Sequence, residues 1–89
     1  MNRFEPIYTE ESGNKVIYFD APDGNSYRAE YISGWDQYWY IWRVDIQGAY
    51  LPQQPDFSFF LPKTATPGLL WKAISRNKDR PNRIHPFKD

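Results

Sequence analysis

The sequence predicts an α+β domain, in which an antiparallel β meander precedes one carboxyl-terminal helix. Two observations support this prediction. Alternating β-prone segments separated by turn residues fill the first half of the chain, and a capped amphipathic segment follows a proline-rich stretch. A chain of 89 residues forms one domain, which we place at residues 1–80, and residues 81–89 are expected to be an extended basic tail.

The first two strands are predicted at residues 15–21 and 26–33, which are rich in β-formers. The loop Pro22-Asp23-Gly24 between them suits a three-residue hairpin turn. Pro presets φ at the turn, and Gly accepts the positive φ of the bulge that follows. We therefore expect the loop to close with Ala21 opposite Asn25.

A third strand is predicted at residues 38–47, where the even positions are unbroken apolar residues. A four-residue loop would close with Ser33 opposite Tyr38. Together the two hairpin registers predict one buried, largely aromatic face, since a one-residue slip would scatter its members to both sides. The predicted members of this buried face are Ile17, Phe19, Tyr27, Ala29, Tyr31, Tyr40, Trp42 and Val44.

The remaining elements follow a change in composition. Residues 52–68 contain four prolines, so they cannot form a central strand. Residues 57–61 form either a short edge strand or an apolar flap, which gives three or four strands in total. Thr66 and Pro67 then predict the start of a helix over residues 67–78, whose apolar stripe packs on the aromatic face.

Composition excludes several classes of protein. The absence of cysteine rules out disulfides, thiolate metal sites and a thiol nucleophile. No apolar run reaches the length of a membrane span, and we expect a cytoplasmic protein with no membrane partner. The lone His85 falls in the tail, and Glu10 and Glu11 fall in a segment expected to be mobile. We therefore expect no enzyme activity, no cofactor and no metal.

Rings and charges are distributed unevenly. Aromatic residues make up 19% of the chain, and all but Trp71 and Phe87 lie in residues 1–62. Residues 1–62 carry a net charge of −5 and residues 63–89 one of +5, although the whole chain is neutral. The neutral total argues against a strongly basic nucleic-acid binder, but the basic segment can still contribute to one.

The sheet face opposite the predicted core suggests a function. The same registers place Arg28 opposite Arg43 and Ile32 opposite Trp39, and arginines beside rings are typical of interface centres. One interpretation is an ordinary lattice of ion pairs, with Glu30 and Asp45 as its acids, over a partly covered face. The interpretation we prefer is an adaptor or inhibitor that docks a partner protein. The predicted contact residues are Tyr18, Arg28, Trp35, Trp39, Ile41 and Arg43.

Two alternatives remain open from the sequence. Single-stranded nucleic acid could stack on the same face while its phosphates meet a basic segment, although Glu30 and Asp45 oppose this. That basic segment consists of Lys72, Arg76, Lys78, Arg80, Arg83 and Lys88. The chain could also form a homodimer if residues 38–47 or 57–61 pair across an exposed sheet edge.

Overall fold

The computed structural model describes residues 6–32, 38–45 and 47–77. It has an α+β fold, with a five-stranded antiparallel sheet in the order β1-β2-β3-β4-β5 and one helix. The elements are β1 (Ile7–Glu11), β2 (Asn14–Asp20), β3 (Ser26–Ile32), β4 (Tyr38–Val44), β5 (Phe57–Phe59) and α1 (Pro67–Asn77). The predicted fold class is therefore confirmed, with five strands instead of three or four.

Strand β1 was not predicted from the sequence. Ser12 and Gly13 connect it to β2 as a two-residue turn, with φ angles of 56° and 81° and with Glu11 paired to Asn14. Positive φ at both turn positions identifies a type I′ turn, the geometry that matches the twist of two paired strands. The expectation that Glu10 and Glu11 lie in a mobile segment is therefore wrong, because both belong to a hydrogen-bonded hairpin.

The hairpin between β2 and β3 has the predicted register. The Ala21 N–H donates to the Asn25 carbonyl at 2.9 Å, and Gly24 has a φ of 89°. This is the three-residue loop with a glycine bulge that the sequence predicts. Phe19 accordingly pairs with Tyr27.

The predicted register between β3 and β4 is wrong by one residue. Ile32, and not Ser33, pairs with Tyr38, so five residues separate the two strands instead of four. Ala29 lies opposite Ile41 and Arg28 opposite Trp42. Because side chains alternate along a strand, this single shift reverses both sides of β4.

The reversal changes which β4 residues form the core. Trp39 and Ile41, predicted on the outer face, point toward the helix and are fully buried. Tyr40 and Trp42, predicted with Ile17 in the core, lie on the other side of the sheet. The β4 part of the predicted core is therefore corrected, whereas the β2 and β3 parts are confirmed.

We call the side of the sheet that α1 covers the core face. Leu70 and Ile74 of α1 are fully buried against it, as predicted for a helix on the aromatic face. The Thr66 hydroxyl accepts the Leu69 N–H at 3.2 Å and caps the helix start. The core-face residues of the sheet are Ile17, Phe19, Tyr27, Ala29, Tyr31, Trp39, Ile41 and Phe57.

The proline-rich segment ends in a short edge strand. Phe57–Phe59 pairs with β4, which confirms the edge strand over the flap, although it stops before Leu61. The Trp39 indole N–H donates to the Pro62 carbonyl at 2.8 Å. This bond holds the connection to α1 against the end of the core face.

Candidate functional site

We call the side of the sheet away from α1 the second face. Its central residues are Val16, Tyr18, Arg28, Glu30, Tyr40, Trp42 and Ser58. Val16 is 0% exposed, Arg28 4% and Trp42 6%. The centre of this face is therefore covered and offers no open platform on which bases could stack.

Arg28 occupies the middle of the second face in a set of ionic contacts. Its Nη2 lies 2.6 Å from Glu11 Oε1, its Nη1 lies 2.9 Å from Glu30 Oε1, and its Nε donates to the Tyr18 hydroxyl at 3.2 Å. The Tyr18 hydroxyl in turn donates to Glu11 at 3.3 Å. A buried guanidinium requires such partners, because an unpaired charge at this depth would be costly.

Aromatic rings surround the same guanidinium. Its Cζ lies 4.8 Å from the ring centre of Tyr50, 5.0 Å from that of Trp42 and 5.9 Å from that of Tyr18. These distances are within the range of cation–π attraction. Tyr50 comes from the loop between β4 and β5, so the cation ties this loop to the sheet.

The electrostatics keep Arg28 charged. Burial by itself lowers the pKa of its guanidinium, but the hydrogen bonds with Glu11, Glu30 and Tyr18 outweigh burial and raise the pKa above its ordinary value. Arg28 is therefore a permanent structural cation. We call Arg28 with its three ring and two carboxylate neighbours the Arg28 cage.

The predicted juxtaposition of two arginines does not occur. Arg28 lies opposite Trp42, and Arg43 lies opposite Tyr27. The ion-pair interpretation was right about Glu30, which binds Arg28. Asp45, the second acid proposed for that lattice, instead binds the backbone of its own loop.

Two of the predicted contact residues belong to the core. Trp39 and Ile41 are each 0% exposed, and Trp39 is the largest fully buried side chain among the described residues. A partner cannot reach either side chain while the domain stays folded. The prediction that they lie on the outer face is wrong for the reason given above, the one-residue register shift.

The remaining predicted residues are dispersed. Tyr18 is half-buried in the Arg28 cage, and Arg43 is exposed at the end of β4. Trp35 lies outside the described residues, as do Lys78, Arg80, Arg83 and Lys88 of the basic segment. The other two members of that segment, Lys72 and Arg76, are exposed on α1.

A cleft of about 470 Å³ lies where β4 meets the following loop. Its walls mix charged, polar and apolar side chains, which include Arg43, Asp45, Tyr50, Leu51, Gln54 and Asp56. The Asp56 carboxylate accepts the Arg43 backbone N–H at 2.7 Å, and Asp45 accepts the N–H groups of Gln47 and Ala49. These bonds fix the loop that forms the cleft.

Tyr50 joins the cleft to the Arg28 cage. The centre of its ring lies 5.5 Å from that of Trp42 and 4.8 Å from the Arg28 Cζ. The next residue, Leu51, is 68% exposed at the cleft. Sequence reasoning missed both residues, because nothing in the segment from Gly48 to Pro52 indicates that a ring from it packs on the sheet.

A second unusual group lies in the turn beside the cleft. The Tyr27 hydroxyl donates to Asp23 Oδ2 at 2.9 Å, and the Tyr27 ring is buried on the core face. Burial, reinforced by the hydrogen bond to the Asp23 carboxylate, raises the pKa of Tyr27 to about 12. Tyr27 thus stays neutral and holds the β2–β3 turn closed.

Within the described ranges, no group of three or more histidines or carboxylates is arranged to hold a metal ion. In the same part of the chain, no helix is both long and apolar enough to cross a membrane. No family model, curated protein or solved structure matches this chain.

Proposed function

We propose that this domain is a non-enzymatic binding module that docks a partner protein at the cleft between β4 and its following loop. The observation that carries the proposal is the pairing of exposed Arg43 with exposed Leu51 on walls fixed by backbone hydrogen bonds. The site differs from the predicted one. It keeps Arg43 and replaces the buried Trp39 and Ile41 with loop residues.

Arg43 supplies the polar part of the proposed contact. Asp56 holds its backbone N–H, so the base of the side chain is fixed while the guanidinium stands at the surface. Arginine is enriched in protein interfaces, and its planar fork can donate two parallel hydrogen bonds to a carboxylate. We therefore expect the partner to present an acidic side chain or a carboxyl terminus to Arg43.

Leu51 and Tyr50 supply the apolar part. Leu51 stands 68% exposed next to a ring that is itself held by Trp42 and Arg28. An apolar side chain on a rigid support loses little entropy on binding, which favours affinity. A cleft of about 470 Å³ has room for several side chains of a partner loop.

Single-stranded nucleic acid is the weaker alternative. Its proposed stacking ring, Trp39, is in the core, and the Tyr18 hydroxyl is engaged with Glu11 and Arg28. The exposed bases Lys72 and Arg76 on α1 still favour contact with phosphates.

Affinity capture from the source cells, with mass spectrometry of protein and sequencing of nucleic acid, tests the proposal. Three baits are compared: the natural chain, the cleft variant Arg43→Ala/Leu51→Ala, and a matched control, Lys72→Ala/Leu69→Ala. The control removes the same residue classes from the exposed side of α1. The captured protein is then purified and titrated directly against each bait.

We expect the cleft variant to bind the purified partner at least about tenfold more weakly, and the control variant to change binding by less than about twofold. The proposal fails if the control variant loses binding and the cleft variant keeps it. Capture of nucleic acid alone, lost with the α1 variant, would instead support the alternative.

A further inference from the structure

Among the residues that the structure describes, the outer edge of β1 is an open sheet edge. β1 pairs with β2 on one side, and none of the described residues pairs with its other side. An open edge presents unpaired N–H and C=O groups, which is a template for another strand. Four of its five residues are exposed, including Ile7 at 62% and Tyr8 at 59%.

The turn geometry identifies which backbone groups point outward. A two-residue type I′ turn makes its flanking residues, Glu11 and Asn14, a hydrogen-bonded pair. Alternation along β1 then directs the N–H and C=O groups of Tyr8 and Glu10 away from β2. Pro6, the next outward position, has no N–H, so the open edge ends there.

The side chains on this edge are acidic and apolar. β1 carries Glu10 and Glu11 and contains no basic residue. Glu11 is already bound to Arg28, whereas Glu10 is exposed on the same side of the sheet as Tyr8. Lys15 lies opposite Glu10 on β2, but its ammonium group donates to the Lys63 carbonyl at 3.1 Å. A strand that pairs here therefore meets one exposed carboxylate followed by one exposed ring.

The edge is also held rigidly. Glu11 binds the Arg28 guanidinium at 2.6 Å and accepts the Tyr18 hydroxyl at 3.3 Å, so the Arg28 cage fixes the turn end of β1. Five cross-strand pairs with β2 hold the strand along its whole length. A peptide that adds to a preformed edge is spared the entropic cost of ordering that edge.

We propose that the outer edge of β1 binds an extended basic segment of a partner protein as an added antiparallel strand. The segment places a lysine or arginine opposite Glu10 and, two residues later, an apolar side chain opposite Tyr8. Backbone hydrogen bonds supply affinity, and these two side-chain contacts supply selectivity. This site is separate from the cleft and does not depend on it.

A second copy of the chain fits the edge less well than a basic segment. A symmetric pair of β1 strands joins only five residues of edge from each copy, whereas a stable dimer interface buries about 1,200 Å² or more in total. It also brings two acidic strands together. A short basic peptide avoids this repulsion, and because it binds transiently it does not need the area of a stable dimer.

Fluorescence anisotropy with a labelled, end-blocked peptide, Thr-Lys-Thr-Val-Val-Thr, tests the proposal. In the antiparallel register its Lys faces Glu10 and its first Val faces Tyr8. One matched peptide carries an N-methyl group on the Lys, whose N–H faces β1, and another carries it on the following Thr, whose N–H points away. A third peptide has Glu in place of Lys.

We expect the unmodified peptide to bind saturably. N-methylation of its Lys should weaken binding at least about tenfold, whereas N-methylation of its Thr should change binding by less than about twofold. The variant Glu10→Lys should reverse the preference between the Lys and Glu peptides while leaving the circular dichroism spectrum unchanged. The variant Arg43→Ala/Leu51→Ala should bind the Lys peptide normally, so failure at the cleft and failure at the edge are distinguishable.

Three results would overturn the proposal. The first is no saturable binding up to about 1 mM peptide, a concentration at which even weak complexes form. The second is equal weakening by the two N-methyl groups. The third is a dimer in light scattering that Glu10→Lys dissociates, because the occupant of the edge would then be a second copy.

Discussion

The two faces of the sheet differ in the kind of side chain that packs on them. On the core face, Trp39 is fully buried among apolar side chains and its indole N–H is bonded to Pro62. On the second face, Trp42 is almost as buried but packs against a permanent cation, and its indole N–H has no hydrogen-bond partner in the described residues. Trp42 is therefore held by its ring, whereas Trp39 is held by both its ring and its N–H.

The comparison shows that an aromatic strand can be buried on both sides without two apolar cores. The second face contains Arg28, Glu30 and Ser58, all with little exposure. A guanidinium between rings serves there as a core side chain. Its flat faces pack against the rings, while the N–H groups at its edge donate hydrogen bonds to the carboxylates. Burial alone does not distinguish such a face from a hydrophobic core.

The largest effect is expected on the core face. Replacing Trp39 with Ala should lower the free energy of unfolding by about 3–5 kcal/mol, because it removes the largest fully buried side chain of the described residues and leaves a cavity. Denaturant titration followed by far-ultraviolet circular dichroism measures this. A matched control is Phe60→Ala, since Phe60 is 69% exposed. A loss for Trp39→Ala no larger than that of the control would contradict its place in the core.

A somewhat smaller effect is expected on the second face. Replacing Arg28 with Met should cost about 3 kcal/mol, because Glu30 is left buried without its cation while Glu11, whose side chain is 42% exposed, can turn to water. Arg43→Met, an exposed arginine on the neighbouring strand, should change stability by less than about 0.5 kcal/mol.

The double variant Arg28→Met/Glu30→Gln sharpens this test. It should recover part of the stability lost by Arg28→Met, since the carboxylate that lost its partner is now neutral. If Arg28→Met is as stable as the natural chain, the Arg28 cage contributes packing alone and the contrast between the faces disappears.

The smallest expected effect is a dependence of stability on pH, which Tyr27 of the core face causes and Arg28 of the second face does not. The pKa of Tyr27 is raised to about 12, so the folded state keeps the phenolic proton that the unfolded chain releases near pH 10. The contribution of Tyr27 to the free energy of unfolding is complete below pH 10 and is lost as the pH rises from 10 to 12. The loss is about 1 kcal/mol at pH 11. Arg28, with its raised pKa, keeps its proton over this range.

Denaturation midpoints of the natural chain and of Tyr27→Phe, measured between pH 8 and pH 11.5, isolate this contribution. The variant lacks the ionisable hydroxyl, so its stability should fall less steeply above pH 10. Parallel curves for the two proteins would show that another group causes the alkaline loss.

Local turn chemistry determined how much of the fold was predictable. The Pro22-Asp23-Gly24 loop permits one closure, and its register was predicted correctly. The connection at residues 33–37 contains no such constraint, and YWYIW at the start of β4 is apolar on both sides. A hydrophobic pattern cannot choose between two registers when both of them bury rings.

The candidate site was less predictable than the fold. The cross-strand pairing of Tyr18 with Arg28 followed from the correct hairpin, but the burial of Arg28 depends on Tyr50, which is distant in sequence. β1 was missed because its outward apolar residues and acids resemble a solvated segment. Its signal was the Ser12-Gly13 turn, which places IYTEE against β2.

The Arg28 cage connects two parts of the molecule at the margins of the sheet, β1 and the loop that forms the cleft. One guanidinium holds the turn end of β1 through Glu11 and the cleft loop through Tyr50. The cross-strand pairs of β1 and the Asp45 and Asp56 bonds of the loop hold each part separately, and the Arg28 contacts are the ones that the two parts share. If the Arg28 guanidinium lost its contacts, β1 and the cleft loop, which are far apart in sequence, would both become less ordered. The two proposed binding surfaces would then change together.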